Sequence, residues 1–433
     1  MTLLPPRPAP IAFPSPSGLL ASWLLGGLAA AWLGAMPAAA LAAPTYRQRV
    51  LASGLKNPRG LTLAGHRLLV SEAGQGGARQ SSGGSDLGSN CIRAGSGAEL
   101  CYGLSGAIGA WDFSSQTYSH LLTGLPSLAR ADGSEGTGIA DLTVGGPTGL
   151  LGVFGLGGDP GQANLANLGS DLFGQVVSLN LADGTIQARQ NLALFELTSN
   201  PDGRSRNSNP YALELFGGKL YATDAGGNTL VSLDPNPTAP DGSFPILDAY
   251  VLPGLSVNPG PSFPLLPNPY PAEPVPTGLA VDPTSQQLRI GELSGFPFAP
   301  GSANLYATDG QSPPGPSLTG FSLITALASG ADGSLYVLEY ASNFFSPLAT
   351  GSLWRVDPDG TRTQIVGGLH QPTGLAVADD GSLYVANNGD GLEGQLLEVR
   401  PEVPAPLPLL GTAAAWGQAR RLRRRAAGRH LRL

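Results

Sequence analysis

Apolar and polar residues alternate in four short stretches within "GSLWRVDPDGTRTQIVGGLHQPTGLAVADDGSLYVANNG", which spans residues 351–389. Alternation with a period of two, in segments rich in Val, Leu, Tyr and Trp, is typical of β-strands. The intervening "PDG" and "DDG" are strong turn signals. The pattern predicts four successive strands, at positions 352–356, 363–366, 373–377 and 382–386.

The strand phrase of this segment recurs along the chain. "DGSLYVANN" from Asp380 is preceded by "DGSLYVLEY" from Asp332. Less exact copies extend the series to six, with starts at Asn57, Ala140, Asn209, Val275, Ile324 and Gln371. A repeated unit of about 45 residues with four strands is a blade of a β-propeller. Because some copies lie further apart than this, we expect insertions, which in such repeats often lie on the binding face.

Two incomplete units at the ends of the repeat region predict how the ring closes. The last copy ends with "QLLEVRP" from Gln395, which supplies a third strand and no fourth. The segment "YRQRVLASGL" from Tyr46 matches the fourth strand, "TRTQIVGGL", of the preceding unit. We therefore predict an all-β, six-bladed β-propeller of the NHL/TolB-like kind, with four-stranded blades and a last blade closed by the N-terminal strand. The alternative, a β-sandwich with chance similarity, leaves six alignable phrases unexplained.

One insertion contains both cysteines of the chain. Cys91 and Cys101 enclose nine residues in a segment rich in Gly and Ser. In an exported chain, an even pair of cysteines at short separation is typical of a disulfide, which we expect here. A metal site is the alternative, but the sequence offers no further thiol and no nearby histidine.

The two ends of the chain differ in composition from the body between them. Residues 18–36 form an uncharged apolar run, and Ala40-Leu41-Ala42 fits the small-x-small pattern of a signal-peptide cleavage site. We predict a signal peptide over residues 1–43 and the propeller over residues 44–403, although the apolar run is also long enough for an anchor helix. Residues 404–433 combine an apolar stretch with seven arginines, as in a sorting tail or a basic tail that binds acidic surfaces.

Two sets of phrases resemble known families. The order of "NPRGLTLAG", the paired cysteines, "NPDGRSRNSNPYALE", "VPTGLAV" and "LYVLEYA" resembles the ScyD/ScyE family of exported propellers related to NHL repeats. "VPAPLPLLG" from Val403, with the arginines that follow, is similar to a PEP-CTERM sorting signal. Members of the first family are found with cyanobacterial scytonemin genes. The resemblance implies export to the periplasm, cell surface or extracellular space and a link to pigment or exopolysaccharide processes there, but no established reaction.

The predicted body has a strongly acidic balance. All 31 acidic residues lie within residues 44–403, whereas eight of the 24 basic residues lie outside, which leaves 16 basic residues in the body. Such a surface repels nucleic acid and anionic lipid. We therefore expect no nucleic-acid partner, and contact with a membrane only through the signal or sorting segments.

Alignment of the six copies reveals one column of polar side chains, which follow the position of Tyr336 by three residues. The column consists of Glu72, Asp224, Glu292, Glu339 and Asn387, with Gly155 in the second copy. We expect these groups at strand ends, where a blade meets a loop. If they converge on the central opening, their oxygens suit Ca²⁺ or a hydroxylated ligand, so these five are our candidate ligand or metal residues. The alternative is that each accepts backbone N–H bonds and orders the following turn.

Other chemical signals are weak, and we identify no catalytic residue. The four histidines are scattered, with no His-Glu-x-x-His pair and no Gly-x-Ser-x-Gly motif. We expect His120 to form at most a surface pair with Asp112. Phe296 and Phe298 are expected to pack in the core or on the loop-rich face, or else to line an apolar pocket.

Two functions remain. The first is an exported, non-catalytic propeller that binds a small molecule or a cell-surface or periplasmic protein at its loop-rich face. The alternative is a Ca²⁺-dependent, lactonase-like or quinoprotein-like sugar dehydrogenase activity at the central opening. Six-bladed propellers resembling gluconolactonase hold a metal there with Glu, Asn and Asp, and Glu72, Asp224 and Asn387 supply these residue types. Fold analogy alone does not establish activity.

Overall fold

A computed structural model of the chain describes residues 45–81, 86–145, 149–236 and 239–402. The predicted signal peptide and sorting tail lie outside the described residues. Within them the regular structure is almost entirely β, and no helix is long and apolar enough to cross a lipid bilayer.

Six four-stranded antiparallel sheets follow one another along the chain and form a ring, which confirms the six-bladed propeller. Blade 1 contains β2 (Pro58–Ala64), β3 (Arg67–Glu72), β5 (Glu99–Asp112) and β6 (Thr117–Ala129), and the short β4 (Cys91–Arg93) pairs with β5. Blade 2 contains β7 (Ile139–Val144), β8 (Leu150–Phe154), β9 (Gln175–Asn180) and β10 (Thr185–Asn191). Blade 3 contains β11 (Pro210–Phe216), β12 (Lys219–Asp224), β13 (Thr229–Leu233) and β14 (Ile246–Val251).

The second half of the ring repeats this arrangement. Blade 4 contains β17 (Pro276–Asp282), β18 (Gln287–Glu292), β19 (Ala303–Thr308) and β20 (Gly315–Phe321). Blade 5 contains β21 (Ile324–Ser329), β22 (Leu335–Glu339), β23 (Gly351–Val356) and β24 (Arg362–Leu369). Blade 6 contains β25 (Gly374–Val377), β26 (Leu383–Asn387), β27 (Gly394–Pro401) and, as its outer strand, β1 (Tyr46–Leu55). The four strands predicted between residues 351 and 389 are thus β23 to β26, and each predicted end lies within three residues of the observed one.

The N-terminal strand closes the ring as predicted. β1 runs antiparallel to β27, with Tyr46 opposite Pro401 and Val50 opposite Leu397. The first and last described segments of the body therefore lie side by side in blade 6, which leaves no seam between the first and last blades.

Apolar cores between successive blades hold the ring together. Both faces of a blade are buried, because alternate side chains of each strand point to opposite neighbours. At the closing contact, Leu68 and Val70 of blade 1 pack against Tyr384 and Leu396 of blade 6, and all four are at most 2 % exposed. A corresponding cluster fills each of the other five contacts.

The two ends of the ring carry different connections. The first strands of neighbouring blades contact each other around the axis, and each begins at the end of the ring where the second strand of its blade finishes. At this end, which we call the insertion end, lie the long segments that connect the main strands of the blades: 73–81 and 86–98, 155–174, 192–209, 252–275 and 340–350. They include the helix α1 (Leu192–Ser199) and the hairpin of β15 (Leu255–Val257) and β16 (Tyr270–Ala272). The opposite end, the hairpin end, has mostly short turns.

Candidate binding site at the insertion end

The five candidate column residues occupy equivalent places in their blades. Each is the last residue of the second strand, at the insertion end: Glu72 of β3, Asp224 of β12, Glu292 of β18, Glu339 of β22 and Asn387 of β26. All five are buried, with at most 7 % of each residue exposed. The strand-end position predicted from the repeat is therefore correct.

These side chains form hydrogen bonds with residues of their own blades and of the crossings that lead into those blades. Glu339 accepts from the backbone N–H of Ser322 at 2.7 Å and from the indole N–H of Trp354 at 2.7 Å. Asn387 accepts from the N–H of His370 at 2.8 Å, and its amide donates to Gln395. Ser322 and His370 both lie where the chain crosses from one blade to the next, so the two side chains hold this crossing in place.

Asp224 makes the most extensive set of these contacts. Its Oδ1 accepts from the N–H groups of Asn209, Gly226 and Gly227, and its Oδ2 accepts from the Ser208 hydroxyl at 2.7 Å. Burial raises the pKa of Asp224, and the four donors oppose this effect. The carboxylate thus ties the crossing at residues 208–209 to the turn that follows β12.

Glu72 and Glu292 also accept hydrogen bonds from nearby residues. Glu72 accepts from the N–H of Lys56, from the Tyr118 hydroxyl and from His120, whose Nε2 lies 2.7 Å from Oε1. The expected pairing of His120 with Asp112 is wrong, because Asp112 contacts His66 and Arg67 instead. Glu292 accepts from the backbone and the side-chain amide of Asn304, and burial raises its pKa to about 7.

The five groups do not converge on the central opening, as a shared ligand site in this column requires. The second strand of a blade lies behind the first, and the central channel is lined by first-strand residues. Each carboxylate or amide instead accepts a backbone N–H of its own blade or of the crossing that leads into it. The repeat predicts the position of these residues at the strand ends, but it does not determine the direction in which their side chains point.

The central channel contains two other carboxylic acids, Asp141 of β7 and Glu214 of β11. Burial raises the pKa of each to about 7, and for Glu214 the neighbouring Asp141 adds to this effect. Asp141 also accepts the N–H of Leu213 at 2.9 Å, a bond between neighbouring blades. The narrow part of the channel has a volume of about 310 Å³.

At the insertion end the channel opens into a cavity of about 900 Å³, which we call the mouth cavity. Residues from the first strands of all six blades form its floor, including Arg59, Tyr211 and Thr373. Arg59 donates to the carbonyl groups of Gly389 and Gly136, so its guanidinium links blade 6 to the crossing before blade 2.

One side of the mouth cavity is aromatic. We call this side the aromatic wall, and it consists of Phe296, Phe298, Tyr340, Phe344 and Phe345. Phe298 and Phe344 are stacked, with ring centroids 4.3 Å apart and an interplanar angle of 27°. Tyr340 continues the stack at 6.2 Å and 22° from Phe344. Phe344 and Phe345 remain 43 % and 48 % exposed, so the wall presents apolar ring surface to the cavity.

The side opposite the aromatic wall is formed by the cysteine-containing insertion, through Ala94, Gly95 and Ser96. Cys91 and Cys101 form the predicted disulfide and lie directly opposite each other on β4 and β5. Glu135, Glu273 and Asp390 add acidic groups to the lining. The cavity therefore combines an apolar wall with a polar, mainly acidic remainder.

The backbone of the lining is locally strained. Val275, Phe298 and Gln371 have φ values of 55°, 57° and 42°, a region that side chains other than glycine rarely adopt. Such residues often cluster at functional sites, because the surrounding structure has to maintain them.

The sequence identified part of this site. Phe296 and Phe298 line the pocket, which agrees with the apolar-pocket alternative for this pair. The other three wall residues were missed, although "EYASNFFSP" (residues 339–347) places two adjacent phenylalanines in a loop rich in Ser, Asn and Pro. Two large apolar side chains in such a loop, directly after a buried strand, are the signal that could have identified them.

Comparison with known proteins finds similar solved structures but no family. No protein-family model and no curated protein matches the chain. Solved structures that are similar include a streptogramin B lyase (13 % identity, 82 % of this chain and 98 % of that chain, TM-score 0.43). A gluconolactonase from Xanthomonas campestris has 14 % identity over 84 % of this chain and 93 % of that chain, with a TM-score of 0.42. The soluble aldose sugar dehydrogenase of Escherichia coli has 13 % identity over 83 % of this chain and all of that chain, with a TM-score of 0.46.

Proposed function

We propose that this protein is an exported, non-catalytic propeller that binds a small molecule with a planar aromatic portion in the mouth cavity. The observation that carries the proposal is the aromatic wall, five rings from two loops facing a cavity of about 900 Å³. A cavity of this size is within the range of small-molecule sites, which are mostly apolar with a few polar groups. Stacked rings offer a flat surface that suits another ring system.

The polar part of the lining gives such a ligand a defined orientation. Asn207, Asn209 and Gln371 provide amide groups to the lining, and the amide of Gln371 lies beside Tyr340 of the aromatic wall. The acidic lining groups and the acidic body disfavour an anionic ligand. A neutral or cationic ring system is therefore the class that the cavity fits best.

The disulfide supports the exported part of the proposal. Disulfides persist in oxidising compartments and are rare in the cytosol. The signal peptide, the sorting tail and the ScyD/ScyE-like organisation remain predictions from the sequence. The second candidate ligand is a protein, which would dock on the exposed rings of Phe344 and Phe345.

The column residues do not favour the enzyme alternative. A metal-dependent lactonase-like or sugar dehydrogenase site built on Glu72, Asp224 and Asn387 needs their oxygens free and directed at the channel. All three side chains instead accept hydrogen bonds from the backbone near the start of their own blades. Binding is therefore the function that we propose.

The proposal can be tested with Nile red, a neutral fused-ring dye that becomes more fluorescent in apolar surroundings. We expect saturable binding to the full chain, weakened about tenfold or more by Phe298→Ala with Phe344→Ala, because about 1.4 kcal/mol of lost contact corresponds to a factor of ten. The matched control is Leu247→Ala, since Leu247 is 46 % exposed on the outer strand of blade 3. Equal binding by the two variants would contradict the proposal.

A further inference from the structure

A second site is indicated by unpaired oxygens in the connection between α1 and β11. Six buried side-chain oxygens of the described residues have no hydrogen-bond partner, and three of them lie within residues 196–207. These three are Oε1 of Glu196, Oδ1 of Asn200 and Oδ1 of Asn207. Because a buried polar atom without a partner costs about 1–3 kcal/mol, three in one connection require a common explanation.

The three residues are direct neighbours in the structure. The N–H of Asn200, which ends α1 with φ 39° and ψ 64°, donates to the carbonyl of Glu196 at 2.9 Å. The backbone N–H of Asn207 lies close enough to the carboxylate of Glu196 to lower its pKa. Asn200 thus lies one helical turn after Glu196 and Asn207 lies beside its carboxylate, and Glu196 is only 2 % exposed.

The electrostatic surroundings of Glu196 are negative. Burial, together with the carboxylates of Asp224 and Asp202, raises its pKa to about 7. A Cβ added at Gly227 would lie 3.0 Å from Oε2 of Glu196 and 3.4 Å from Cγ of Asp224, so the two carboxylates approach each other over this glycine. Asp224 already has four donors, and Asp202 accepts from Arg204 and Asn228, whereas Oε1 of Glu196 has no donor.

We propose that this connection binds one hard divalent cation, Ca²⁺, through the carboxylate of Glu196 and the amide oxygens of Asn200 and Asn207. Carboxylate and amide oxygens are typical ligands of Ca²⁺, which takes six to eight oxygens and completes its shell with water or backbone carbonyls. The cation supplies the partner that the three oxygens lack and offsets the charge of the nearby carboxylates. This site is distinct from the strand-end column considered from the sequence and does not rest on the proposed binding function.

The ion would also order one side of the mouth cavity. Asn207 lines this cavity, and a Cβ added at Gly95 would lie 2.8 Å from Nδ2 of Asn207. The α1 connection and the cysteine-containing insertion therefore meet at a residue that we assign to the Ca²⁺ site. Fixing Asn207 would hold both insertions in a single arrangement.

The test is calorimetric titration of the metal-free full chain with CaCl₂, combined with thermal unfolding in Ca²⁺ and in EDTA. We expect one Ca²⁺ per chain and a higher unfolding midpoint in Ca²⁺. Glu196→Gln should weaken binding at least tenfold and abolish the midpoint shift, while the shape of the side chain is kept. Glu393→Gln, at an exposed carboxylate in the connection that follows β26 at the same end of the ring, is the matched control and should bind Ca²⁺ normally.

A second variant covers the case in which Glu196→Gln does not fold. Asn200→Gly is compatible with the left-handed backbone of this position and removes the side chain, both the amide oxygen and the Nδ2 that donates to the carbonyl of Arg204, so we expect about threefold to tenfold weaker binding. The proposal is overturned if the wild-type chain takes up no Ca²⁺ at millimolar concentration. It is equally overturned if Glu196→Gln, or Asn200→Gly where the former is unfolded, binds Ca²⁺ as the wild type does.

Discussion

Acidic side chains accept backbone hydrogen bonds at both the insertion end and the hairpin end of the ring, but their pKa values are shifted in opposite directions at the two ends. At the hairpin end, Asp309, Asp332 and Asp359 accept N–H bonds from residues two or three positions further along, in turns that face water. These backbone hydrogen bonds lower the pKa of each aspartate. At the insertion end, Glu292 and Glu339 also accept backbone N–H bonds, yet burial raises their pKa values.

The difference follows from where the chain crosses between blades. A hairpin turn is exposed, so its carboxylate keeps its hydration and gains donors. A crossing between blades lies under the insertions, so a carboxylate there loses hydration before it gains donors. The hairpin end is therefore a set of interchangeable turns, whereas the insertion end is a packed layer that builds the mouth cavity.

The largest expected loss of stability comes from removing a buried carboxylate at the insertion end, and it can be compared with the same change at the hairpin end. Asp224→Ala leaves one hydroxyl and three N–H groups without an acceptor in a buried layer, and we expect a loss of about 3–5 kcal/mol in the free energy of unfolding. Asp224→Asn keeps one acceptor oxygen, so its free energy of unfolding should fall clearly less. Asp309→Ala removes two N–H bonds in an exposed turn and should lose far less than either. Chemical denaturation measures all three, and equal losses for Asp224→Ala and Asp309→Ala would contradict the comparison.

The disulfide should stabilise the insertion end by the next largest amount. Replacing both cysteines by serine (Cys91→Ser with Cys101→Ser) is expected to cost about 2–3 kcal/mol, as for a short closed loop. The two residues already face each other across β4 and β5, so the fold itself should remain. Denaturation of the wild type with and without reductant provides the check. A reductant effect that persists in the double variant would show that the loss has another origin.

The buried carboxyl of Glu292 predicts a pH dependence of opposite sign to that of the turn aspartates. Its pKa is about 7 in the folded chain and about 4.5 in the unfolded chain, so the folded state holds the proton more tightly between these values. The contribution of Glu292 to the free energy of unfolding is present at low pH and is lost as the pH rises to 7. The loss amounts to about 2 kcal/mol between pH 5 and 7.5. The free energy of unfolding should fall across this window, and less steeply in Glu292→Gln. An unchanged slope in that variant would contradict the assignment.

The smallest effect is expected at a hairpin-end turn. Gly360 has a φ of 86° with no atom within 4 Å of an added Cβ, so Gly360→Ala introduces backbone strain without a clash. We expect a loss of about 1 kcal/mol, measured by thermal or chemical unfolding. Nile red affinity should not change, because the turn lies at the opposite end from the aromatic wall. A change in affinity would show that the two ends are coupled.

The sequence predicted the part of the molecule that repeats. Alternation in "GSLYVANN" and turns such as "PDG" are local features, and the match of Tyr46–Leu55 to a fourth strand predicted the closure because every blade needs the same four strands. The mouth cavity does not repeat, so no alignment of the copies indicates it. Phe344 and Phe345 occupy an irregular loop whose path depends on packing against Phe263 and Phe298.

The column residues show a second limit of the sequence. A carboxylate at the end of a second strand is equally well placed for a ligand in the channel and for the N–H groups of the chain crossing. Its direction depends on how the crossing folds back over the blade, as it does at Ser322 and Asn209. Glu196 has no counterpart in the other blades, so alignment of the repeated units does not indicate it.

Hydrogen exchange of the full chain, with and without saturating Nile red, tests most directly the claim that the insertion end is the binding end. We predict slower exchange in residues 293–299 and 340–350 and no change in the turns at residues 217–218 and 357–360. Protection confined to the hairpin end, or spread evenly around the ring, would contradict the account.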